Sequence, residues 1–199
     1  MSGILGSISL VSGFTILSRV LGLLRDMLFF ACFGGSYVGG AFVLAFTLPN
    51  LFRRMLGEGT LSSAFIPVFS ETIETKSLAE GLSLLNKVLT RLALGLVAIL
   101  FLGLCLVFLV QSMDLSISPK WRLGLELCSV TLPYVLAICL SALIVGALNA
   151  RNKFSPGASS PIILNFAMIV TLGVGGIVYD LGGEDLALAL CVSVLIGGV

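Results

Sequence analysis

Long uncharged apolar runs, broken by short polar stretches, dominate the chain. Set against the ~20 residues needed to cross ~30 Å of hydrocarbon, they predict six helices. The expected helices cover about 4–33, 37–56, 82–112, 123–150, 161–179 and 186–199. A Gly-Gly-Ser turn at 34–36 separates the first two, and Pro49 inside the second predicts a kink near Leu48. Residues 59–80 alternate apolar and polar positions too often to span, and read as an interfacial amphipathic segment. Within it, Ser77 and Glu80 have the spacing of a capping box that opens the third helix. Pro133 interrupts the fourth, while Pro161 is suited to the first turn of the fifth. The sixth run is still apolar at Val199 after covering only roughly 21 Å. The architecture is therefore expected to continue past the chain end.

Composition turns this pattern into a class. Of 199 residues, 58% are hydrophobic and 11% charged, against about 25% charged in an ordinary soluble domain. The fold class expected is an all-α integral membrane protein. A net charge of +1 leaves no basic surface for a nucleic-acid backbone. Met1–Ser18 has neither a basic start nor a small-residue cleavage pattern, so it reads as the beginning of the first helix rather than a removable signal. Cys32, Cys105, Cys128, Cys139 and Cys191 are scattered through apolar runs with no C-x-x-C spacing, and histidine is absent. They read as small buried hydrophobes; no metal, disulfide or cofactor is expected.

Charge in the connections gives an orientation. Arg53, Arg54, Lys76, Lys87 and Arg91 flank the 2–3 connection, and Arg151 and Lys153 occupy the 4–5 connection without an acid. Asp180, Glu184 and Asp185 occupy the 5–6 connection without a base. The positive-inside rule then places the N-terminus in the cytoplasm.

Three charges break the first apolar run. In "SRVLGLLRD", residues 18–26, Arg19, Arg25 and Asp26 sit where lipid is expected. An Arg at a helix centre costs about 2.5–3.5 kcal/mol on insertion scales, so such residues face a bundle interior or a water-filled cavity. Arg19 and Asp26, seven positions apart, lie about 20° from one helical face, with Arg25 rotated roughly 120° from Arg19 and ~9 Å further along the axis. Guanidinium groups lining a cavity suit a phosphate-bearing ligand, because each is a planar fork of donors that stays charged. Plainer readings stand beside this one: Arg25 with Asp26 as an internal ion pair, and Arg53 and Arg54 as interfacial anchors. Glu58 follows Arg54 by four residues, a spacing that stabilises a helix locally. Nothing in the chain resembles a catalytic centre; there is no nucleotide loop, no G-x-S-x-G and no cluster of acids within the apolar runs.

"SRVLGLLRD" at 18–26, "AFVLAFTLPNLFRRMLGEGTLSSAFIPVFSE" at 41–71 and "GALNARNKFSPGASSPIILN" at 146–165 together resemble the MurJ (MviN-type) lipid II flippases. The resemblance implies the amino-terminal six-helix lobe of a multidrug/oligosaccharidyl-lipid/polysaccharide exporter-type transporter. Such a protein moves the lipid-linked peptidoglycan precursor across the bacterial inner membrane by alternating access, without covalent chemistry. By motif position it implies that Arg19, Arg25 and Arg53 bind the anionic head group, with Ser18, Asp26, Asn50 and Glu58 in support. Gly40 stands where the family commonly has an acid. The opposite cavity wall would come from a carboxy-terminal lobe or a second copy. Two alternatives share these features: an exporter of another lipid-linked saccharide, and a truncated, non-transporting membrane remnant or scaffold.

Overall fold

The computed structural model describes residues 2–52, 55, 60–113 and 117–198, and the described chain is helical, with no strand. Its helices are α1 (Ser2–Phe33), α2 (Tyr37–Phe52), α3 (Thr60–Thr75), α4 (Leu78–Ser112), α5 (Pro119–Ala150), α6 (Ser155–Val170) and α7 (Gly183–Gly197). Beyond α6 the rod continues through Thr171–Val178 as π-helix, where three glycines, Gly173, Gly175 and Gly176, relax the packing of successive turns. Three helices of the described chain are long and apolar enough to cross a membrane: Leu78–Ser112, Pro119–Ala150 and Ser155–Val178. Over their described residues, the 16 of α2 and the 15 of α7 extend roughly 24 and 22 Å.

Several helices begin three to six residues before the apolar runs do, because their first turns are polar or prolyl. The Ser77 hydroxyl accepts from the Glu80 N–H and opens α4 at Leu78 rather than at 82. Pro119 opens α5 instead of residue 123, and Glu184 and Asp185 sit in the first turn of α7, where the helix dipole favours acids. The expectation for Pro161 is corrected: Pro156 holds the first turn of α6, which starts at Ser155, and Pro161 lies inside the helix. At its far end α5 stops because Asn152 takes a left-handed conformation, φ 59°. The Lys153 N–H then reaches Leu148 O and the Asn152 N–H reaches Asn149 O, closing the last carbonyls in a Schellman arrangement.

The segment expected to be interfacial is the helix α3. Its Phe65 and Phe69 pack with Leu85 of α4 and with Leu143 and Ala147 of α5. This cluster gathers the 75–78 turn and the α5–α6 connection at one end of the bundle. At the other end, Tyr37 of α2 donates to Glu184 of α7. Basic residues Lys76, Arg151 and Lys153 thus share one end, opposite the acidic Asp180, Glu184 and Asp185.

The main core joins α2, α5, α6 with its π-helical continuation, and α7 around Ala41, Ala45, Leu127, Tyr134, Met168, Leu172, Leu190 and Val194. Small side chains let α2 and α5 approach closely. Ala41 and Ala45 are fully buried, and a Cβ on Gly124 would stand 3.7 Å from the Ala41 carbonyl oxygen. Pro49 lies within α2 and is itself buried. Its ring lacks the N–H that would bond the Ala45 carbonyl four residues back. The buried Thr131 hydroxyl of α5 donates to that same oxygen at 3.1 Å. A neighbouring helix therefore completes what the proline leaves open, as apolar surroundings require.

Candidate functional site

Five helices (α1, α2, α5, α6 and α7) border a cavity of about 400 Å³. Its polar lining is Arg25, Asn50, Tyr134, Ser141, Ser160 and Asn165. Two of these, Arg25 and Asn50, are candidates from the sequence. A wider surface concavity of about 680 Å³ is lined by α4 alone, including Lys87 and Arg91. It is one helix face at the basic end of the bundle and gathers no groups from other elements.

Arg25 is half-buried and gripped on both sides. Its Nε and Nη2 donate to Asp26 Oδ1 at 3.0 and 2.7 Å. Its Nη1 donates to Asn165 Oδ1 at 2.9 Å. Three of the five guanidinium N–H groups are thereby committed, and two have no partner among the described residues. Those two define what the site can do: offer a fixed, cationic pair of donors to oxygens entering the cavity.

The pair Arg25–Asp26 is the ion pair that the sequence offered as a plainer reading. Asp26 bonds Arg25, the adjacent residue, and not Arg19. Sharing a face does not bring the latter two together, because seven residues separate them by roughly 10 Å along the axis. Arg19 is exposed, one and a half turns or so from Arg25. Ser18 contributes its backbone: its carbonyl accepts from Asn165 Nδ2 at 3.2 Å. Arg53, Arg54 and Glu58 lie outside the described residues. Gly40 is faced by Lys120 of α5, whose Nζ would stand 3.0 Å from a Cβ there.

Asn165 is the cavity residue that sequence reasoning passed over. The signal was available, since "PIILNFAMIV" holds a single amide in an otherwise apolar run, and an isolated polar side chain in such a run needs a partner. What could not be read was which partner.

The sequence pattern of the family described as lipid II flippase MurJ matches residues 29–199. The probable lipid II flippase MurJ of Rickettsia prowazekii (strain Madrid E) is 37% identical over 194 residues, covering 93% of this chain and 36% of that protein. The lipid II flippase MurJ of Burkholderia cenocepacia is 37% identical over 163 residues, covering 80% of this chain and 32% of that protein. A solved structure of lipid II flippase MurJ in the inward closed conformation superposes with a TM-score of 0.74 at 30% identity, over 95% of this chain and 40% of that one. The chain spans about a third of the length of the curated relatives it matches.

Proposed function

The chain belongs to the lipid II flippase MurJ family, and from that premise we propose that it forms the arginine-bearing wall of a cavity through which lipid II crosses the bacterial inner membrane. One observation carries the reading: Arg25 presents two uncommitted N–H groups at a cavity inside an apolar helical bundle. A pyrophosphate diester needs such donors, and an ionisable side chain inside an apolar helical run marks a functional site by default. Arg19 and Arg53 extend the cationic surface, with Ser18, Asp26, Asn50 and Glu58 setting its shape. Flipping requires no bond to form or break. It requires a site that is exposed alternately to each face as the bundle rocks against the opposite wall, a carboxy-terminal lobe or second copy.

Function is tested in a chimera in which this chain replaces the matching part of the Burkholderia cenocepacia relative. Depletion of the host flippase should be rescued, with lipid II again reaching the periplasmic face. A chimera that inserts normally yet leaves lipid II cytoplasmic overturns the proposal.

The same reading places the N-terminus and the 151–153 connection in the cytoplasm, and residues 180–185 in the periplasm. In a cysteine-free chain, a cysteine at position 152 should resist an impermeant thiol reagent in intact cells, and one at 183 should react. The reverse labelling pattern inverts the orientation.

A further inference from the structure

Buried polar groups in a membrane protein must find partners within the protein. Asn165 is only 6% exposed, yet it uses both ends of its amide across the α1–α6 seam. Arginine donates only and a carbonyl accepts only, so the amide oxygen must face Arg25 and its NH₂ must face Ser18 O. On α1 the facing positions are 18, 22 and 25, one helical stripe. Glycine at 22 keeps that stripe low, with the Asn165 amide nitrogen 3.6 Å from where a Cβ would stand.

The chemistry of the two groups holding Arg25 differs. Asp26 offsets the guanidinium charge, whereas Asn165 is neutral. An amide can fix the plane of the fork without lowering its attraction for an anion; a second carboxylate could not. A guanidinium anchored on one edge alone would remain free to swing about its aliphatic stem. Ordering it at the moment of binding would then weaken affinity.

We propose that Asn165 is the positioning residue that sets Arg25 for anion binding, orienting the guanidinium without neutralising it. The inference rests on the proposed head-group role of the cavity, but its first readout does not. In the full chain, reconstituted in nanodiscs with ¹⁵N-arginine, restricted rotation of the Arg25 guanidinium is expected to show as separate Nη resonances. Asn165→Ala should accelerate that rotation at least tenfold and weaken binding of inorganic pyrophosphate about tenfold. Asn165→Asp keeps the shape and the acceptor, so rotation should stay restricted while pyrophosphate affinity still falls tenfold or more. It also supplies the test if the alanine variant fails to fold. The assignment is overturned if Asn165→Ala leaves the Arg25 resonances unchanged, if it frees them without changing affinity, or if Asn165→Asp binds pyrophosphate as wild type does. If the wild-type chain ignores pyrophosphate, the head-group reading of the cavity falls and the proposed anion-binding role of Asn165 falls with it; the resonances then report only whether Asn165 orients the fork.

Discussion

Arg25→Ala is expected to abolish rescue in the chimera and to weaken lipid II binding roughly a hundredfold or more. The two free N–H groups make charge-assisted bonds worth about 1.5–3 kcal/mol each, so losing both removes about 3 kcal/mol or more. Lysine should restore little. Its ammonium has three donors in place of five, and Asp26 and Asn165 between them would leave one for the ligand. Arg25→Ala also strands Asp26 without its cation and Asn165 Oδ1 without its donor, so membrane insertion must be measured alongside binding. Arg19→Ala is the companion variant. Arg19 makes no ion pair among the described residues, so its loss should weaken binding with little change in thermal stability. Rescue by an Arg25→Ala chimera that binds lipid II normally would reduce the Arg25–Asp26–Asn165 group to a clamp between α1 and α6.

Thr131→Val should lower stability by about 1–3 kcal/mol, the cost of leaving a buried carbonyl without a donor. Isosteric replacement removes only the hydroxyl, which reaches Ala45 O at 3.1 Å and Cys128 O of its own helix at 3.3 Å. The origin of that need is Pro49, so the two positions should couple. In a Pro49→Ala background the new N–H can take Ala45 O within α2, and the cost of Thr131→Val should shrink by about half or more. Thermal denaturation of the four proteins in one detergent gives the cycle. Equal costs in both backgrounds would show that Thr131 acts through packing or through its second acceptor, Cys128 O at 3.3 Å, and not through the carbonyl that Pro49 leaves open. The effect lies in the seam that holds α2, with Asn50 beside the cavity, against α5.

How far each feature could be read from the chain depends on the range of the interaction that makes it. Capping by Ser77 and the amphipathic character of 60–75 rest on neighbours a few residues away, as does the opening of α5 at Pro119, which the apolar run alone set at 123. Their signals are local. The extended start of α6 shows where local reading failed: two prolines, Pro156 and Pro161, both suit a first turn, and propensity does not choose between them. Arg19, Arg25 and Asp26 stood out because a charge in an apolar run is costly wherever the run is buried. Face geometry on a single helix set Arg19 and Asp26 on one arc, yet the ion pair that forms is the other one read from the sequence, Arg25 with Asp26. Angular agreement ignores the axial distance that a side chain must cover.

From the sequence alone came the class of the protein, its helical segments, the charge asymmetry of its connections and the presence of arginines that lipid would not tolerate. These follow from the cost of placing polar groups in hydrocarbon, which each residue expresses independently of its partners. Only the tertiary structure decided that Asn165, 140 positions from Arg25, grips the guanidinium, and that Thr131, 86 positions from Ala45, completes the turn opened by Pro49. Both are hydrogen bonds between helices remote in sequence. Their existence depends on which faces pack and at what height, and small residues such as Gly22, Ala41 and Ala45 set that only once the helices have met.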